Sequence, residues 1–133
     1  MSDFKSMDLH PLLLSAIKTQ GYKTPTPIQA QAIPHLLRGK DLLGIAQTGT
    51  GKTAAFLITL INDLLNNPES DERYLAEPRA VILAPTRELV MQIGKDAVDL
   101  CKYTDLNVEV LIGGADYSKQ HDRMKKRVVD IVA

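Results

Sequence analysis

The octet Ala46-Gln47-Thr48-Gly49-Thr50-Gly51-Lys52-Thr53 constrains the fold more than any other stretch of the 133 residues. It follows a short apolar run, Leu42-Leu43-Gly44-Ile45-Ala46, expected as a strand buried on both faces. It opens a segment, about 52–66, whose apolar residues (Ala54, Ala55, Phe56, Leu57, Ile58, Leu60, Ile61, Leu64, Leu65) surround much of a helix axis. Glycines at 49 and 51 let the backbone curl so that successive N–H groups face inward. The positive end of the helix dipole points at the same spot. Such a turn is built to hold phosphate. Lys52 then reaches the outer phosphates, and the Thr53 hydroxyl is placed to ligate Mg²⁺. The usual pattern begins with Gly six residues before the Lys, where this chain has Ala46. The bland alternative is a glycine-rich turn that happens to contain Lys-Thr.

Three more apolar runs follow: Ala80-Val81-Ile82-Leu83-Ala84, Val108-Glu109-Val110-Leu111-Ile112 and Val128-Val129-Asp130-Ile131-Val132. Helical patterns at about 86–102 and 116–126 separate them. Strands alternating with helices predict an α/β fold, a parallel sheet of four strands with helices on both faces. Before the octet, residues 10–20 read as a helix with Pro11 in its first turn and Gly21 as its stop. A second helix is expected from the cap Thr26 to Gly39, with Pro34 bending it or breaking it in two. Residues 67–78 read as an acidic, exposed loop.

A composition of 44% hydrophobic and 24% charged residues excludes general disorder. One cysteine, Cys101, cannot form a disulfide within the chain and is expected as a packed thiol. With no signal-peptide order at the N-terminus, the expectation is a cytoplasmic protein. A net charge of zero leaves no overall basic footprint for nucleic acid. Locally, Lys119, Arg123, Lys125, Lys126 and Arg127 form a basic run, read as a solvated helix face that could assist nucleic-acid binding.

Two further segments narrow the class. Gly21-Tyr22-Lys23-Thr24-Pro25-Thr26-Pro27-Ile28-Gln29 lies upstream of the octet, and Pro85-Thr86-Arg87-Glu88-Leu89 follows the second apolar run. With the octet, they resemble three motifs of the DEAD-box ATP-dependent RNA helicases, in the family's order. Phe4, 17 residues before Gly21, is similar to the family's isolated aromatic, and Gly113-Gly114 to its double glycine. The short N-terminus and Pro-Thr-Pro-Ile-Gln resemble bacterial members.

The resemblance implies a P-loop, RecA-like fold: residues 1–39 as adenine-recognition helices and 40–133 as a P-loop βα core, together a partial N-terminal ATP-binding domain. It implies ATP and Mg²⁺ as cofactors. Phe4, Tyr22, Thr24, Gln29, Thr48, Gly49, Thr50, Gly51, Lys52 and Thr53 would bind the nucleotide, with Lys52 and Thr53 also serving catalysis. Gln29 resembles the glutamine that reads adenine, which a side-chain amide can pair bidentately through N6 and N7. Pro85, Thr86, Arg87, Gly113 and Gly114 would contact the RNA backbone, with slight sequence preference. Thr86 is also a good helix cap, Arg87 could instead pair with Glu88 or another carboxylate, and Gly113-Gly114 could be merely a turn.

The family's Thr-Pro-Gly-Arg, Asp-Glu-Ala-Asp and Ser-Ala-Thr do not occur among these residues. The expectation is therefore about the first two-thirds of a first helicase domain. Alone it would bind nucleotide without hydrolysing it and could self-associate through unpaired sheet edges. The alternatives are a non-catalytic nucleotide- or RNA-binding module and an unrelated P-loop NTPase.

Overall fold

Helix α1 (Pro11–Thr19) starts where His10 Nδ1 accepts the Leu12 N–H at 3.2 Å. It stops where Gly21 takes a left-handed φ of +81°. Gly21 N–H then reaches the Lys18 carbonyl and Tyr22 N–H the Ile17 carbonyl, so the last turn is satisfied by the turn that ends it. Helix α2 (Pro27–Leu37) repeats this ending at Gly39, φ +75°, with Gly39 N–H on Leu36 and Lys40 N–H on His35. The structure, a computed structural model, describes residues 3–47, 49, 51–67, 78–113, 117–126 and 131–132. A short 3₁₀ turn, Phe4–Met7, precedes α1 and buries Phe4.

Helix α3 (Lys52–Asn66) is the centre of the core. Leu57, Ile58 and Ile61 are fully buried, and Leu13, Ile33, Leu100 and Ile131 join them from four other elements. Asn62 is the buried polar residue of α3; its Oδ1 accepts the His10 N–H at 2.8 Å. The far end of α3 is held by Arg79, whose guanidinium donates to the Asn67 carbonyl at 2.7 Å.

Three short strands follow the order β1-β3-β2, all parallel: β1 (Ala80–Val81), β2 (Val108–Glu109) and β3 (Ile131–Val132). Helices α4 (Arg87–Leu100) and α5 (Tyr117–Lys126) lie in the crossovers. Ile131 is the buried centre of the sheet, paired to Ala80 on one side and Val108 on the other. Alternation sorts β1 and its continuation: Ala80, Ile82 and Ala84 pack on the core, whereas Val81 and Leu83 are 62% and 92% exposed. Helix α4 approaches the sheet closely at Gly94, where a Cβ would collide with the Val110 side chain. Cys101 is buried at its end, as expected of a packed thiol.

Three expectations are corrected. Residues 42–46 are not a buried strand: they make no ladder with the described strands, and Leu43 and Ile45 are 87% and 86% exposed. An apolar run becomes a strand only where neighbours supply main-chain partners, and the three described strands pair with one another. Described strands therefore number three rather than four. Helix α2 runs unbroken through Pro34, because the ring removes a single N–H of the ladder while Ala32 and Ile33 stay anchored in the core. The acidic stretch 68–77 and residues 127–130 lie outside the described residues.

Candidate nucleotide and RNA sites

The loop before α3 is shaped by two left-handed glycines, Gly49 at φ +84° and Gly51 at φ +89°. They differ in surroundings. A Cβ at Gly49 would meet open space, whereas one at Gly51 would collide with the Gln29 amide and lie 3.0 Å from Thr26 Oγ1. The start of α2 therefore presses on the loop itself. Gln29 is 3% exposed and held at both ends of its amide: its Oε1 accepts the Thr26 N–H at 3.0 Å, and its Nε2 donates to the Gly51 carbonyl at 3.1 Å. The first of these bonds is a capping-box contact, in which the third helical residue reaches back to the cap. The second ties the predicted base-reading segment to the predicted phosphate loop.

Lys52 opens α3 and turns its ammonium back onto the Ala46 carbonyl, which closes the loop on its own lysine. Thr53 stands half-buried in the same first turn. Thr48 and Thr50 lie outside the described residues.

The remaining predicted nucleotide residues precede α2. Phe4 is 4% exposed, so its ring is a core side chain; it meets Tyr22 at a centroid distance of 6.5 Å and a tilt of 45°. Tyr22 is half-buried and faces α4. Burial, then the carboxylates of Asp96 and Asp99, push its phenol above the usual range. Thr24 is exposed, and Thr26 is the threonine that meets the loop. Sequence reasoning named Thr26 only as a cap. Its spacing of three from Gln29 was the signal that the two act together.

The second site lies at the mouth of α4. Thr86 Oγ1 accepts the Leu89 N–H at 3.2 Å and caps the helix. Arg87 pairs with no carboxylate among the described residues; it donates to the Gly113 carbonyl at 2.6 Å and so bridges the two predicted RNA segments. Pro85, Thr86, Arg87 and Gly113 line one groove of about 370 Å³ with Ile82–Ala84 and Ile112 behind them. Gly114 lies outside the described residues. A larger hollow, about 570 Å³, runs along the C-terminal half of α3 between Leu36, Phe56, Leu60 and Arg79, and the loop residues are not in its walls.

A model of the DEAD/DEAH box helicase family matches residues 26–133. The chain belongs to that family. Among curated relatives it is 54% identical over 129 residues to the ATP-dependent RNA helicase RhlB of Pseudomonas aeruginosa, covering 97% of this chain and 32% of the relative. It is 48% identical to the RhlB of Xanthomonas oryzae, covering 98% of this chain and 23% of that protein. The chain thus spans about a third or less of the length of these relatives. In fold it is similar to the RNA helicase Prp28 of Chaetomium thermophilum bound to ADP, with a TM-score of 0.85, 38% identity, and coverage of 100% of this chain and 32% of that one. It is also similar to a DEAD box protein of Methanococcus jannaschii, with a TM-score of 0.83 and 30% identity over 98% of this chain and 34% of the other. The expected α/β, RecA-like class is therefore that of its structural neighbours.

Proposed function

We propose that this chain is the nucleotide-gripping part of an ATP-dependent RNA helicase, a P-loop core (40–133) preceded by adenine-recognition helices (1–39). The observation that carries the reading is the Gln29–Gly51 bond. A side-chain amide has two donor protons and an acceptor oxygen with two lone pairs. Gln29 uses one proton on Gly51 and one lone pair on Thr26, which leaves one of each for the N7 and N6 edge of adenine. Base and phosphates would then be read by one connected unit.

Lys52 would leave the Ala46 carbonyl for the outer phosphates, and Gly49, Gly51 and the α3 N-terminus would supply amides and dipole. Mg²⁺ suits the oxygen donor of Thr53, and no cluster of three His, Cys, Asp or Glu forms a metal cage among the described residues. Phosphate oxygens and water would complete its shell. RNA backbone would lie in the groove between Thr86, Arg87 and Gly113, contacted at sugar and phosphate with little base preference. No described helix is long and apolar enough to cross a membrane, and a buried free thiol suits the cytoplasm. The exposed Leu43, Ile45 and Leu83 favour self-association of this chain.

Hydrolysis requires a positioned water and a second acidic hold on the metal. This chain alone is expected to bind ATP or ADP without turnover. Displacement of a fluorescent ATP analogue by ATP, GTP and CTP tests the reading, with ATP the strongest competitor and Lys52→Ala abolishing binding. Equal competition by all three would remove the adenine assignment. Turnover clearly above the Lys52→Ala background would remove the claim of inactivity.

A further inference from the structure

Helix α5 carries none of the family motifs, and its basic residues read as a solvated face. One neutral side chain in it behaves differently. Gln120 Oε1 accepts the Ile112 N–H at 2.8 Å, and Gln120 Nε2 donates to the Ile112 carbonyl at 3.2 Å. These are the two bonds that a neighbouring strand would supply. β2 is an edge of the described sheet, so the side chain stands where no described strand does. One turn along α5, Arg123 meets Glu109, a carboxylate only 7% exposed. The two anchors lie three residues apart and therefore on one helix face. From the other side, Arg87 of α4 holds the Gly113 carbonyl. Consecutive residues 112 and 113 are gripped by two different helices, and both line the groove beside Thr86.

We infer that Gln120 is a positioning residue for the RNA-facing groove: its two-bond clasp on Ile112, set against the Arg87–Gly113 bond, fixes the wall that the glycine turn contributes. This rests on the RNA reading above. Gln120 is uncharged and releases no counterion of its own. A change in salt dependence on its removal therefore reports displaced neighbours rather than a lost charge.

The test is anisotropy of a labelled single-stranded oligouridine titrated with the chain at several KCl concentrations. Wild type, Gln120→Met and Gln120→Ala are compared, with circular dichroism confirming the fold. Methionine keeps the bulk and removes both hydrogen bonds. Both variants are expected to bind several-fold more weakly, with the slope of log affinity against log salt flattened by about 0.7, one phosphate contact on a single strand. Wild type that does not bind at all sinks the RNA reading and this inference together. Wild type that binds, with a folded Gln120→Met of unchanged slope, overturns the inference alone, whether or not affinity falls. Unfolding of both variants makes Gln120 a structural residue and overturns it as well.

Discussion

The Gln29 amide nitrogen lies 3.1 Å from the carbonyl oxygen of Gly51, across 22 residues of sequence. A helix cap and a phosphate loop are thereby one mechanical unit. Gln29→Ala removes a capping contact at Thr26 and the link to the Gly51 carbonyl, which keeps only its helical bond from Ala55 N–H. The expected loss is about 1–2 kcal/mol of stability. Selectivity for ATP over GTP should fall at the same time. Chemical denaturation and nucleotide competition on the same variant check both. Lost selectivity with full stability would mean that the loop bond carries no weight.

The two left-handed glycines should respond differently to alanine. Gly49→Ala incurs only the backbone strain of a positive φ, about 1–2 kcal/mol, because nothing stands near its Cβ. Gly51→Ala adds a collision with Gln29 and should be the more damaging to both stability and nucleotide binding. Denaturant midpoints for the pair give the order directly. Equal midpoints would show that Gln29 moves aside at no cost.

Burial separates apolar residues that hydropathy does not. Ile61→Ala, in the fully buried core, should cost about 2–5 kcal/mol. Leu43→Ser and Leu83→Ser, at 87% and 92% exposure, should leave the thermal midpoint nearly unchanged and shift the chain toward monomer. Size-exclusion chromatography with light scattering reads the second effect. A wild-type chain that is monomeric at high concentration would remove the self-association proposal.

Asp96 lies beside Tyr22 on α4, and burial, then the charge of Asp99, push its carboxyl above the usual aspartate range, with Lys95 opposing. A raised folded-state value means that the folded chain holds this proton more tightly than the unfolded one. Its contribution to stability is present below the unfolded value and is lost as pH rises through the folded one. Asp96→Asn should therefore stabilise the chain modestly at neutral pH, with the gain vanishing below about pH 4. Urea midpoints across that range check the sign. A gain that grows on acidification would contradict it.

Helices were the legible part of this fold. Pro11, Gly21, Gly39 and Thr86 mark ends that depend on local dihedrals and caps, and these lie where the sequence puts them. Strands depend on partners distant in sequence. The run at 42–46, like the run at 80–84, holds no polar side chain, yet only the second meets β3. The candidate site was legible as far as its motifs: Gln29 meets Gly51, Lys52 turns back on Ala46, and Thr86, Arg87 and Gly113 line one groove. What the motifs did not convey was which atoms touch. Phe4 and Thr24 share a motif neighbourhood with Gln29 but are respectively packed inward and turned to solvent. Gln120 left no trace, because its role arises only when α5 folds back on a strand edge.

Gly94 gives α4 a fulcrum, since the helix backbone there rests almost directly on Val110. Seven residues toward the N-terminus, about 10 Å along the axis, stands Arg87. Any side chain added at the pivot would pry the rod outward, and its tip would swing through the larger arc. A single methyl placed far from the groove mouth could thus unhook a guanidinium from its carbonyl without touching either.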